Sequence, residues 1–461
     1  MISIVDPKSR IRNSICLWLI IFHLFLSTCA VSYTLSVGHL PPSRNGRTFV
    51  LVTDLSGLGP AVEINFYDDA GRRVSTSRKL LPPNGKIQID VENYLQIAGA
   101  IVLESSSEQI VGEYWQIHYR GGVDPLPYSM FMLPLQFPGS EGGRCFVNCF
   151  RFPPCDSNLL VLSDPYGSGP LVQMEFYNTI GELIRVARKL LRPHGTSAFE
   201  VNDYAPWDIL GKVSIRSLVG GNIVLHYRQL CGSKSVLAVP ARLPARTLLI
   251  DEFSTGGGVT SNLVITDASA EGPAAEIQFL SDDGAELSSL VEKLLPPNGT
   301  VLIDIADYIG DVANGMIRIN SRAGIIADYW EKNPQTILDT PAWSIDYGGP
   351  GSVFFISHFS PFDNTQDLLS LLNAGQEPVE VEVQVYLSDG KKLDSRKLTL
   401  EPYEQVDELM AHYFDVGSGS KPATTGTIIV SGSNASLVVT SHIFDLENGR
   451  HLGKAYAQVI K

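Results

Sequence analysis

The chain has 461 residues, of which 44% are hydrophobic and only 18% charged, and its formal net charge is −14. That apolar share fills cores and excludes a disordered chain, while 41 Gly and 28 Pro spread along the length exclude long helices and coiled coil. The acidic balance excludes the basic surface by which proteins track nucleic-acid phosphates.

Lys8, Arg10 and Arg12 precede an apolar run over residues 15–26, and Ser27, Thr28, Cys29 and Ala30 follow. A positive start, a short apolar middle and a small-residue end make residues 1–30 a secretory signal, cleaved near Ala30. Twelve helical residues reach ~18 Å, short of a ~30 Å hydrocarbon core. Two alternatives stay open, a lipoprotein signal acylated at Cys29 and an uncleaved anchor. No later run of eighteen apolar residues offers a membrane span. The expected address is extracellular, periplasmic or cell-surface, with membrane attachment only if the signal is lipidated or retained.

The rest of the chain is one unit written four times. Residues 62–67, 172–177, 275–279 and 379–386 alternate apolar side chains with Glu, Gln or Asn, the period of a strand with one buried face. Turn glycines follow at Gly71, Gly181, Gly284 and Gly390, spaced by 110, 103 and 106 residues, the length of a self-contained β-sandwich. A second strand then ends in Lys79-Leu80-Leu81-Pro82-Pro83-Asn84-Gly85, copied at residues 189–195 and 293–299, where Pro and Gly reverse the chain. The fourth copy keeps Pro402 and lacks the Gly. Strands at residues 89–94, 199–204 and 303–308 run into tyrosine-ended loops, and two more strands close each unit. A leading strand recurs at residues 34–40, 144–150, 246–253 and 352–359, for about seven strands per unit. Helical periodicity competes only near residues 406–413.

The expected fold is all-β, four tandem antiparallel β-sandwich domains of jelly-roll or Ig-like type after the signal. Their bounds are residues 31–134, 135–241, 242–341 and 342–461. Pro-rich joints at residues 125–138, 240–244 and 341–350 predict four beads on semi-rigid links. Cys145, Cys149, Cys155 and Cys231 lie beyond the signal, and in an exported chain they are expected to form disulfides, with Cys145–Cys149 and Cys155–Cys231 the favoured pairs. Their spacing fits neither a zinc site nor haem attachment.

Three segments carry a family resemblance: Gly38-His39-Leu40-Pro41-Pro42-Ser43, Ile356-Ser357-His358 with Leu371-Leu372-Asn373-Ala374-Gly375, and Val438-Val439-Thr440-Ser441-His442. In their order they resemble the sensory rhodopsin transducer family. That resemblance implies a compact antiparallel sandwich in a soluble, oligomeric, non-enzymatic protein that binds partners or small ligands such as sugars. This chain departs from the family pattern in its export signal and its four tandem copies.

Asp68-Asp69 and Asp282-Asp283 read as hairpin-turn residues, with an acid–base pair or calcium ligands as the alternative. His118, His226 and His442 fall in the last strand of three units, but the third unit supplies Asp328 or Tyr329, so no shared ligand set forms. No nucleophile elbow, His-Glu-x-x-His or P-loop occurs, so an enzyme is not expected, nor a metal or cofactor. The aromatics are the functional lead: Tyr114, Trp115, Tyr227, Tyr329 and Trp330 recur near the ends of successive units. Neighbours on a strand point to opposite faces, so one of each pair is either exposed, as a platform for a sugar ring, or covered in a seam. The sequons at Asn298 and Asn434 matter only in a glycosylating host. The function expected is non-catalytic recognition of a glycan or envelope protein, the alternative a structural or adhesion protein whose repeats are spacers. Oligomeric state stays open.

Overall fold

The computed structural model describes residues 33–42, 46–119, 127–134, 144–149, 157–205, 210–231, 234–240, 243–255, 259–310, 314–332, 337–341, 343–344, 353–356, 365–410, 426–434, 436–445, 450–456 and 458–460. Repeat 1 comprises β1 (Tyr33–His39), β2 (Gly46–Asp54), β3 (Ala61–Asp68), β4 (Arg73–Leu80), β5 (Lys86–Asp90), β6 (Gly99–Ser105), β7 (Ile110–Tyr119) and β8 (Pro127–Pro134). Repeat 2 follows with β9 (Arg144–Cys149), β10 (Ser157–Ser163), β11 (Leu171–Asn178), β12 (Leu183–Leu190), β13 (Thr196–Glu200), β14 (Gly211–Val219), β15 (Val224–Cys231) and β16 (Lys234–Pro240). Repeat 3 has β17 (Ala245–Ser254), β18 (Thr260–Asp267), β19 (Ala274–Leu280), β20 (Val291–Leu294), β21 (Thr300–Asp304), a one-turn α1 (Ala306–Ile309), β22 (Asn314–Lys332), β23 (Ile337–Pro341) and β24 (Trp343–Ser344). Repeat 4 has β25 (Val353–Ile356), β26 (Thr365–Asn373), β27 (Val379–Leu387), β28 (Lys392–Leu400), β29 (Gln405–Leu409), β30 (Gly426–Gly432), β31 (Leu437–Asp445), β32 (Arg450–Tyr456) and β33 (Gln458–Ile460).

The protein is all-β, made of small antiparallel sheets. In repeat 1 one sheet runs β1-β6-β3-β4 and the other β5-β2-β7-β8, and repeat 2 copies both orders. Repeat 4 adds β33 beside β25 and is otherwise the same. In each of these repeats the two sheets close on one apolar core, such as Leu35, Ile64, Phe66 and Leu103 facing Val50, Val52, Ile89 and Tyr114 in repeat 1. Repeat 3 differs. Two strands expected at residues 315–321 and 324–330 are the single 19-residue β22, whose first half pairs β17 and β19 and whose second half pairs β18 and β23. One eight-stranded sheet therefore curls around the core as a half-barrel.

The strand that sequence periodicity misses is the second of each repeat, β2, β10, β18 or β26. It is central in its sheet and buried on both faces, so Val50-Leu51-Val52 and Leu160-Val161-Leu162 show no polar alternation. The helical pattern near residue 406 resolves as strand β29 as far as Leu409.

The beads-on-links arrangement is overturned, because the repeats close into a ring. Most of the first Pro-rich joint is strand β8, and strands reach into the other two at Pro240, Pro341 and Trp343–Ser344. β8, β16 and β23 add to the edges of β7, β15 and β22, and β8 also touches β16 and β32, while β16 touches β23. Repeat 4 meets repeat 1 as repeat 2 meets repeat 3 and repeat 3 meets repeat 4: Lys86 N donates to Ser388 O (3.0 Å), Thr300 N to Thr179 O (2.8 Å) and Gln405 N to Asp282 O (2.9 Å).

Candidate functional site: the seams between repeats

Each seam begins with a clamp. Asp54, at the end of β2, accepts from Ser56 N (2.8 Å) and Gly59 N (2.9 Å) in the following loop, and from Asn84 N (3.2 Å) in the Pro-Pro-Asn-Gly loop. Asp164 holds Tyr166 N, Gly169 N and His194 N, and Asp267 holds Ser269 N, Gly272 N and Asn298 N in the same way. In repeat 4 Asn373 accepts from Gly375 N and donates to Leu400 O and Glu401 O. The clamped loop carries a left-handed residue, Asn84 (φ 55), His194 (φ 57), Asn298 (φ 60) or Tyr403 (φ 61). That conformation costs least at Gly and Asn. Sequence reading missed this carboxylate, although the five-residue spacing Asp54 to Gly59, Asp164 to Gly169 and Asp267 to Gly272 was there to find.

Into each clamped loop fits the turn glycine of the preceding repeat. A Cβ on Gly71 would lie 1.8 Å from Pro193 O, one on Gly181 1.9 Å from Pro297 O, and one on Gly390 1.9 Å from Pro83 O. Gly284 sits against Tyr403 and Pro402. All four have φ between 80 and 87, so both backbone conformation and space demand glycine. Contacts 1 to 2, 2 to 3, 3 to 4 and 4 to 1 close the circle.

Beside this repeated contact, one sheet of each repeat lies on the next. Tyr114, Tyr227 and Tyr329 point inward: each is a fully buried member of its own repeat's core. Their strand neighbours point into the seams. Trp115 packs with Leu51, Ile117 and the fourth repeat's Ile443, and its Nε1 donates to Glu113 Oε2 (2.8 Å). Trp330, half-buried, packs on the second repeat's core cluster. Arg228 and His442 take the same strand position in repeats 2 and 4, facing Leu159 and Leu368 as Trp115 faces Phe49. The row of exposed rings required for sugar stacking is absent from these residues; four of the five are buried and serve cores and seams.

The four seams differ in polar chemistry. In seam 1/2, Arg228 donates to Gln116 Oε1 (3.2 Å), Tyr114 Oη (3.2 Å) and His226 Nε2 (3.0 Å). Burial, then the Arg228 charge, pulls His39 down to about 3 and His226 well below its ordinary value, so both rings are neutral. In seam 2/3, Asn148 donates to Asp328 Oδ2, and Lys212 Nζ donates to Asp267 O and to Asn298 Oδ1 (3.1 Å). In seam 3/4 a register shift in β17 brings two acids forward: Thr440 Oγ1 donates to Asp251 Oδ2 (2.7 Å) and His442 Nε2 lies 3.1 Å from Glu252 Oε2. In seam 4/1 the buried Lys86 donates to Gly426 O (2.8 Å) near Glu113 and Asp367. Burial pushes Asp367 up to about 8 and pulls Lys86 down to about 8.

The disulfide expectation is overturned. Cys145 is a free thiol with its Sγ on Ile215 O, and burial pushes it up to about 12, far from a reactive thiolate. Cys145 and Cys149 are four residues apart on strand β9, ~13 Å between Cα atoms at strand rise, beyond the ~7 Å a disulfide spans. Cys231 ends β15, no disulfide occurs among the described residues, and Cys155 and Cys29 lie outside them. The paired acids are turn residues: Asp68 accepts from Arg72 N (2.8 Å) and its guanidinium (2.7 Å). No group of three metal-ligating side chains stands among the described residues, and none of their helices is long and apolar enough to cross a membrane. At the sequons, Asn298 Oδ1 accepts from Lys212 in seam 2/3 and Asn434 Oδ1 accepts from Ser436 in a turn.

No family model matches the chain, and no curated protein does. Among solved structures, Thermotoga maritima 1070 is similar at 13% identity and TM-score 0.18, over 24% of this chain and 91% of that one. A calcium-binding mutant of Bacteroides uniformis beta-glucuronidase 2 is similar at 11% identity and TM-score 0.12, over 47% of this chain and 26% of the enzyme. A tetra-tandem repeat in the extending region of a large adhesion protein is similar at 13% identity and TM-score 0.12, over 94% and 96%. At these values the likenesses assign neither fold nor activity.

Proposed function

We propose that the chain is an exported, non-catalytic structural protein of the cell envelope or of adhesion. In this reading four β-sandwich domains, residues 31–134, 135–241, 242–341 and 342–461, follow a signal over residues 1–30 and form a closed scaffold. The observation that supports it is the use of the repeated aromatics: Tyr114, Tyr227 and Tyr329 fill cores, and Trp115 and Trp330 fill seams. The segments that carry the resemblance to the sensory rhodopsin transducer family also fall at seams, with Gly38 against Ser163 and Val161, and Leu372 and Ala374 against Leu249 and Met316. Four unlike seams and no shared ligand set favour a scaffold over an array of repeated binding sites.

The test is binding of residues 31–461 to arrayed glycans and cell-wall polysaccharides, with Trp115→Ala and Trp330→Ala alongside. The scaffold reading expects both variants to lose stability, by about 3 kcal/mol for the buried Trp115, with no specific glycan signal to lose. Specific binding abolished in a folded variant would replace it with glycan recognition.

A further inference from the structure

The clamp and the glycine turn are nearly the same at every junction, with Asn373 and Tyr403 the variation in repeat 4, so they discriminate little between repeats. Something else must set the order in which the repeats pair. The sheet faces beside them supply the difference, since at one strand position repeats 1 to 4 present Glu113, His226, Asp328 and Thr440, and two residues on Trp115, Arg228, Trp330 and His442. The opposing face varies with them. Gly38 leaves room for Ser163, Val161 and His226, a Cβ there falling 2.7 Å from Ser163 Oγ. Asn148 takes the equivalent position in repeat 2 and donates to Asp328, and the Asp251-Glu252 bulge of repeat 3 meets Thr440 and His442.

Exchange of partners is costly at each place. Asn148 or Glu252 set where Gly38 stands would collide with Ser163, and the Asp251-Glu252 pair set against Asp328 would bury like charges without a counterion. A head-to-tail interface that fails to close on itself links copies into open chains. We propose that these seam side chains form a pairing code, in which each repeat accepts only the repeat before it, so that repeat 4 closes onto repeat 1 and no repeat pairs out of order, within the chain or with a second copy. The code rests on the ring and deepens the scaffold reading.

The test uses the full chain with near-isosteric changes in seam 2/3. Asn148→Asp sets two buried carboxyls face to face, whereas Asn148→Asp with Asp328→Asn restores the hydrogen bond in mirror image. Val213→Ala, in the core of repeat 2, serves as a destabilised control. Mass by light scattering over a concentration series and Tm are the readouts. The code predicts that Asn148→Asp lowers Tm by about 5 °C or more and adds species of twice the chain mass or larger. It predicts that the exchanged pair recovers the wild-type mass and most of the Tm, and that the core control keeps the wild-type mass. It is overturned if Asn148→Asp matches wild type, if the exchanged pair is no better than the single change, or if the core control gains mass equally. An extended wild-type chain in X-ray scattering would defeat the ring itself, an outcome distinct from failure of the code.

Discussion

Two contacts lie a few residues apart in every seam. The turn-in-loop contact repeats almost unchanged four times, through Gly71, Gly181, Gly284 and Gly390, while the sheet-face contact is different in all four. The first is backbone against backbone, with a carbonyl under 2 Å from any added Cβ in three seams, so only glycine fits. The second is side chain against side chain, and any pair that fills the space and satisfies its polar atoms serves equally well. A contact that tolerates no variation fixes the ring's geometry, and one that tolerates variation is free to distinguish the repeats.

The largest break in this comparison comes from the invariant side. Gly390→Val combines a forbidden φ with a Cβ inside the Pro83 carbonyl, and a loss of about 4 kcal/mol or more is expected, read from urea midpoints. The clamp comes next. Asp164→Ala strands Tyr166 N, Gly169 N and His194 N and removes the brace of the receiving loop, for about 2–3 kcal/mol.

A smaller effect, and one that depends on pH, belongs to seam 4/1. With its folded value raised to about 8, Asp367 keeps its proton after the unfolded chain has released it. Its stabilisation is therefore complete below pH ~4 and lost as pH climbs to about 8. Lys86, lowered to about 8, acts in the opposite sense above that point, restoring stability between about 8 and ~10.5. Asp367→Asn should flatten the fall between pH 5 and 8, and an unchanged profile in chemical denaturation would contradict the assignment. The smallest effect is expected away from the seams. Leu80, Leu190 and Leu294 are 72%, 65% and 74% exposed, and each mutated to Ser should shift stability by less than about 0.5 kcal/mol.

Much of the repeat was legible because its local rules are strict. Alternation placed β3, β11 and β27, and glycine and proline placed the turns. The β2-type strands escaped because burial on both faces erases their period, and the two expected strands of repeat 3 fused where Arg322 and Ala323 continue the strand that a turn interrupts elsewhere, as Gly220 and Gly221 do in repeat 2. For the aromatics, alternation showed that Tyr114 and Trp115 face opposite ways but left open whether the outward ring meets water or protein. Ring closure decides that, and closure depends on residues some 300 positions apart, such as Lys86 and Gly426, which no local pattern connects.

Small-angle X-ray scattering of the intact, processed chain tests ring closure most directly. A closed ring predicts a radius of gyration near the compact value for this length, about 23 Å, and a scattering profile unchanged by dilution. Four beads on links would give a clearly larger radius and an elongated profile, and that result would contradict the contact between repeats 4 and 1 on which the account depends.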